Sequence, residues 1–117
     1  MIDEKAQELG RLLGQTDEYK ALRRATDKLH EDTELQKLLA DIDRLAQQIE
    51  LAARGGQEPP KEQIEQYDRA LATVQVNPIY QQVVAAQANF EKLMAKINER
   101  IYDGIKKGAA SPIIQLS

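Results

Sequence analysis

The sequence predicts an all-α protein: a helical bundle with two long antiparallel helices bearing heptad repeats, flanked by shorter helices. Three observations lead there. Apolar residues recur at spacings of three and four along almost the whole chain. Strand signals, meaning β-branched alternating runs bounded by turn residues, are nearly absent. Thr, Asn, Gly and Pro stand where helices would start and stop.

The first segment, IDEKAQELGRLL, places Ile2, Ala6, Leu9, Leu12 and Leu13 on one face, weakened by Gly10 and Gly14. Thr16 reads as the N-cap of a second helix, with Asp17 and Glu18 in the favourable first turn. That helix turns Tyr19, Leu22, Ala25 or Thr26, and Leu29 inward. Thr33 and Gln36 then have the spacing of a capping box. The helix they open repeats by heptads, with Leu35, Ile42 and Ile49 in one seam position and Leu38/Leu39, Leu45/Ala46 and Ala52/Ala53 in the other. RGGQEPP ends it: Gly55 or Gly56 can adopt the left-handed terminal conformation, and Pro60 can begin the next helix.

That next helix offers Ile64, Tyr67, Leu71 and Val74. Asn77 then caps the longest segment, with Pro78 in the first helical position. Its seam is Ile79/Tyr80, Val83, Ala86/Gln87, Phe90, Met94, Ile97, Ile101 and Ile105. Gly104 and Gly108 suggest fraying. Residues 1–108 read as a single helical domain and 109–117 as a flexible tail, broken by Pro112 and carrying Ile113 and Ile114. The two heptad-bearing helices are expected to pack against each other. Their seam residues Leu35, Leu38, Ile42, Leu45, Ile49, Val83, Phe90, Met94, Ile97 and Ile101 are read as core or oligomer interface.

Composition narrows the function. The chain has 117 residues, 42% hydrophobic, with no Trp, one Phe and four Tyr. Long helices filled mainly by Leu, Ile, Val and Ala often bury their stripes only by associating. The net charge of −3 is not that of a protein held to nucleic acid by charge alone. There is no cysteine, hence no disulfide, thiolate ligand or cysteine nucleophile. The acidic opening lacks a signal-peptide pattern, and no apolar run approaches the roughly 20 residues of a membrane span. Cytoplasmic residence and no membrane association are expected.

Little chemistry is visible. His30 lies in DKLH, one copy of a carboxylate-x-x-His spacing that helical di-metal sites use as a pair; it reads as a solvent-facing residue near a helix end. Asp41, Asp43 and Glu62 read as solvated. RGG lacks the lysine and strand context of a phosphate loop. No enzyme activity, catalytic residue, metal or other cofactor is expected. Lys92, Lys96 and Arg100 share a face at spacings of four and are the candidate nucleic-acid contact; Lys20, Arg23, Arg24 and Lys28 form a second basic cluster, and either could touch phosphate. Interleaved acids and the lack of stacking aromatics count against RNA.

The layout TDEYKALRRATDKLHEDTELQKLLADIDRLAQQIE, the double glycine after it, and the Asn-Pro cap opening NPIYQQVVAAQANFEKLMAKINERI resemble the YlbF/YmcA family of small bacterial helical regulators. The resemblance runs from about Thr16 to Ile105. It implies an all-α regulator without catalysis that forms homodimers or related hetero-oligomers. Such proteins are linked to competence, sporulation and biofilm development, and some act with a ribonuclease in mRNA maturation. Some members carry cysteines tied to an iron–sulfur cluster; this chain has none. The function expected is therefore a cytoplasmic regulatory adaptor working through helix-mediated oligomerisation, with an RNA-associated accessory module as the alternative.

Overall fold

In the computed structural model, residues 1–110 are described and form five helices: α1 (Ile2–Gly14), α2 (Asp17–Glu31), α3 (Thr33–Arg54), α4 (Lys61–Gln75) and α5 (Pro78–Ala110). The side-chain caps that fix these boundaries are local. Thr16 Oγ1 accepts from the Tyr19 N–H at 3.2 Å and so starts α2. Asn77 Oδ1 accepts from the N–H groups of both Ile79 and Tyr80, at 2.9 and 3.1 Å, while Pro78 fills the first position of α5, where no donor is needed. Gly56 takes the left-handed conformation at φ 75°, closing the end of α3.

Two boundaries differ from expectation. The cap of α3 is Asp32, whose carboxylate accepts from the Leu35 N–H at 3.0 Å; Thr33 is already helical. A carboxylate one residue earlier thus takes the role expected of the hydroxyl, and the Gln36 side-chain amide donates instead to the His30 carbonyl at 2.6 Å. The longest helix does not fray at Gly104 or Gly108 but continues to Ala110. Lys106, Lys107, Ala109 and Ala110 are good helix formers, and two isolated glycines cost only about 1 kcal/mol each. Ala109 and Ala110, expected in the tail, are therefore helical; the rest of that tail, with Ile113 and Ile114, lies outside the described residues.

The helices pair two by two. α2 runs antiparallel along α5: Tyr19 stacks tilted on Phe90 with centroids 5.6 Å apart, while further along α2, Ala25 and Lys28 meet Gln82, Ala85 and Ala86. α3 and α4 form the other pair, a helical hairpin over the 55–60 turn, with the Gln63 amide donating to the Gln48 side chain. Thus helices α2 to α5 pack as antiparallel pairs, but the two heptad-bearing helices are not each other's partners: α3 packs on α4 and α5 packs on α2. Where the pairs join, Ile79 at the start of α5 shares a cleft with Lys28, Thr33 and Glu34.

The core is small. Among the described residues Ala25, Leu35, Leu45, Val74 and Ala86 are the buried hydrophobic ones, and Leu35, at 2% exposure, is the largest side chain so enclosed. Two of the five are alanines at the α2–α5 contact, where small side chains let helices approach closely. The shape is correspondingly long, 67 × 37 × 19 Å, with a radius of gyration of 21.6 Å. A compact chain of this length would have about 13 Å.

Candidate interaction surface

The seam expected from sequence is distributed over both pairs. On α3, Leu35 and Leu45 are buried and Leu38, Ile42 and Ile49 half-buried. On α5, Val83, Phe90, Met94 and Ile97 are half-buried, but Ile101 is 47% exposed. The same apolar period therefore changes environment along one helix. As far as Ile97 its stripe is sheltered by α2. Beyond that point Ile101, Tyr102 and Ile105 stand open, the last two at 66% and 57%.

The cause is α1. It makes helix-to-helix contact only with α2 and so leaves the far half of α5 without a packed neighbour. Its approach to α5 is an open apolar cleft between Met1, Ile2, Ala6 and Leu9 on one side and Ile101 on the other, edged by Lys5. No residue of α1 is buried; Ile2 is 84% exposed and Leu12 is also open. Leu51 at the end of α3 and Val84 on α5 are further exposed apolar side chains. Ile2, Ala6 and Leu9, three of the five residues expected on one face of α1, line this cleft; its lack of cover was not legible, because periodicity tells which residues share a face and not what lies opposite. Tyr102 was missed because it adjoins the seam without belonging to it.

Lys92, Lys96 and Arg100 are exposed on α5. Lys92 and Lys96 line one cleft with Asp17 and Glu18 of α2, so antiparallel packing sets carboxylates beside two of the three cations. Lys20, Arg23 and Arg24 line another cleft with Asp27. The electrostatic surface is mixed rather than a basic stripe. His30 is exposed, and among the described residues no group of three or more His, Asp or Glu converges as a metal site. No described helix is long and apolar enough to cross a membrane.

Paired helices with open apolar faces define a class of helical interaction proteins, in which surface rather than an enclosed pocket is the distinctive feature. Within that class the chain belongs to the family described as control of competence regulator ComK, YlbF/YmcA, whose sequence profile matches residues 2–106. Among its relatives, a UPF0342 protein of Bacillus velezensis is 25% identical over 96 residues, covering 82% of this chain and 83% of the relative. One from Caldicellulosiruptor bescii is 23% identical over 101 residues, 86% and 85% of the two chains. In structure the chain is similar to Bacillus subtilis RicA, solved in complex with RicF, at a TM-score of 0.80 and 17% identity, covering 91% of this chain and 94% of that one. It is also similar to a DUF964 protein of unknown function from Bacillus stearothermophilus, at a TM-score of 0.64 and 16% identity, over 95% and 97% of the chains. The sequence profile establishes the family and the structural likenesses the fold.

Proposed function

We propose that this protein is a non-catalytic, cytoplasmic regulatory adaptor that acts by laying its exposed apolar helix faces against another protein. The observation that carries this reading is the open apolar surface along α1 and the far half of α5, on a chain with very little enclosed core. Large exposed apolar patches on soluble proteins are most often interaction sites. Family membership supports the regulatory role, and RicA, a protein of the same fold, was solved bound to a protein partner. A second reading, RNA association through Lys92, Lys96 and Arg100, gains nothing from the packing, since Asp17 and Glu18 offset the local charge.

The test is affinity capture from extracts of the protein's own cells, with and without added ribonuclease, followed by mass spectrometry. A stoichiometric protein partner that survives ribonuclease is the expected result. Partners that all vanish with the nuclease would overturn the adaptor reading in favour of RNA.

A further inference from the structure

We infer that the apolar cleft between α1 and the far half of α5 is covered in the free protein by the chain's own residues 113–116, and that a protein partner must displace them to dock there. This rests on the adaptor reading and adds how that same face is regulated.

Composition is the first support. Beyond the end of α5 at Ala110 the sequence runs SPIIQLS. Those seven residues carry no charged side chain, in a chain that is 30% charged, and Ile113, Ile114 and Leu116 are large and aliphatic. The cleft has the matching character. Ile2, Ala6 and Leu9 form one wall and Ile101 the other, with Lys5 the charged side chain at its edge. An uncharged segment can enter such a cleft without stripping water from an ion.

Reach is the second. From Ala110 back to Ile101 is nine positions of helix, about 13.5 Å at 1.5 Å per residue. Pro112 has no N–H to continue the helix, and it disfavours helical backbone at Ser111, so these two residues are where the chain can turn. The four residues that follow span about 13 Å when extended. That length takes them from the end of α5, past the open side chains of Ile105 and Tyr102, to the level of Ile101 in the cleft.

Tethering is the third. A segment two residues from the helix end is held at an effective concentration on the order of millimolar. A free partner at micromolar concentration has to bind the same cleft correspondingly more tightly to replace it. The cleft therefore opens to a partner of high affinity and stays covered against weak ones.

The chain has no cysteine, so a disulfide can be placed without background. Full-length Ala6→Cys/Gln115→Cys is oxidised at low micromolar concentration, alone and mixed with a mass-tagged copy of itself. An intrachain bridge is expected, forming at least tenfold faster than in Gln7→Cys/Gln115→Cys, because Gln7 is exposed and lies outside the cleft lining. Full-length Ile114→Asp/Leu116→Asp, whose changes fall beyond all five helices, is expected to capture at least tenfold more of the ribonuclease-resistant partner from limiting extract. Bridging no faster than in the Gln7 control would overturn the inference. So would bridges mainly between tagged and untagged chains, which assign the cleft to a second copy, and so would equal or weaker capture of a partner by the aspartate variant. A partner captured without the intrachain bridge leaves the adaptor reading standing and removes the cover. An intrachain bridge with no partner captured by either protein removes the adaptor reading but not the covering segment.

Discussion

Leu35→Ala is the substitution to which this fold is most exposed. Leu35 is 2% accessible near the start of α3, at the end of the α3–α4 pair where Val74 is also buried. Removing three carbons at about 0.8 kcal/mol each forfeits roughly 2.4 kcal/mol of transfer free energy. The cavity left behind raises the cost to about 3–4 kcal/mol, since surrounding side chains relax only in part. Domains have about 5–15 kcal/mol in total, so this is a large share. It corresponds to a fall in Tm of roughly 12–16 °C. Leu51→Ala is the matched control. The same three carbons are lost on the same helix, but Leu51 is 66% exposed, so the cost stays below about 1 kcal/mol. Urea unfolding followed by far-UV circular dichroism, at one fixed protein concentration, reads both. The reasoning is refuted if Leu35→Ala falls within 1 kcal/mol of Leu51→Ala, for then the junction of the two helix pairs is not the core.

Other expectations follow from single contacts. Asn77→Ala removes the acceptor for two N–H groups at the start of α5 and should cost about 1–2 kcal/mol in the same assay, whereas Asn77→Asp should cost little. Gly10→Ala should stabilise by about 0.5–1 kcal/mol, because Gly10 is helical and an added Cβ meets nothing within 4 Å; a loss of stability would show that a partner approaches there. Gly56→Ala should destabilise by about 1–2 kcal/mol, since its φ of 75° strains any side chain. Reversing Lys92, Lys96 and Arg100 to Glu should leave capture of protein partners unchanged, and loss of them all would restore the RNA reading.

The elements were legible in the sequence where the cause is local. Thr16, Asn77 with Pro78, and Gly56 each act within a few residues, and each sits where its chemistry suggests. The α3 cap shifted by one residue because Asp32 and Thr33 are both competent caps, and only the bend of the chain chooses between them. Pairing was less legible. Heptads on α3 and α5 say that each helix wants a partner, not which one; in the fold α3 lies beside α4 and α5 beside α2. The same limit applies to the interaction surface. Ile97 and Ile101 are successive members of one stripe, yet one is half-buried and the other borders the open cleft beside α1. A pattern along one helix carries no record of where its neighbour ends.

The central claim is that this chain completes its open apolar surface with another protein chain. Affinity capture by the full-length protein from its own cells, compared with capture by Ile101→Asp/Ile105→Asp, tests it most directly. The account predicts a stoichiometric protein partner that survives ribonuclease and is lost from the variant. Capture of no protein partner, or of the same partner by the variant, would contradict it.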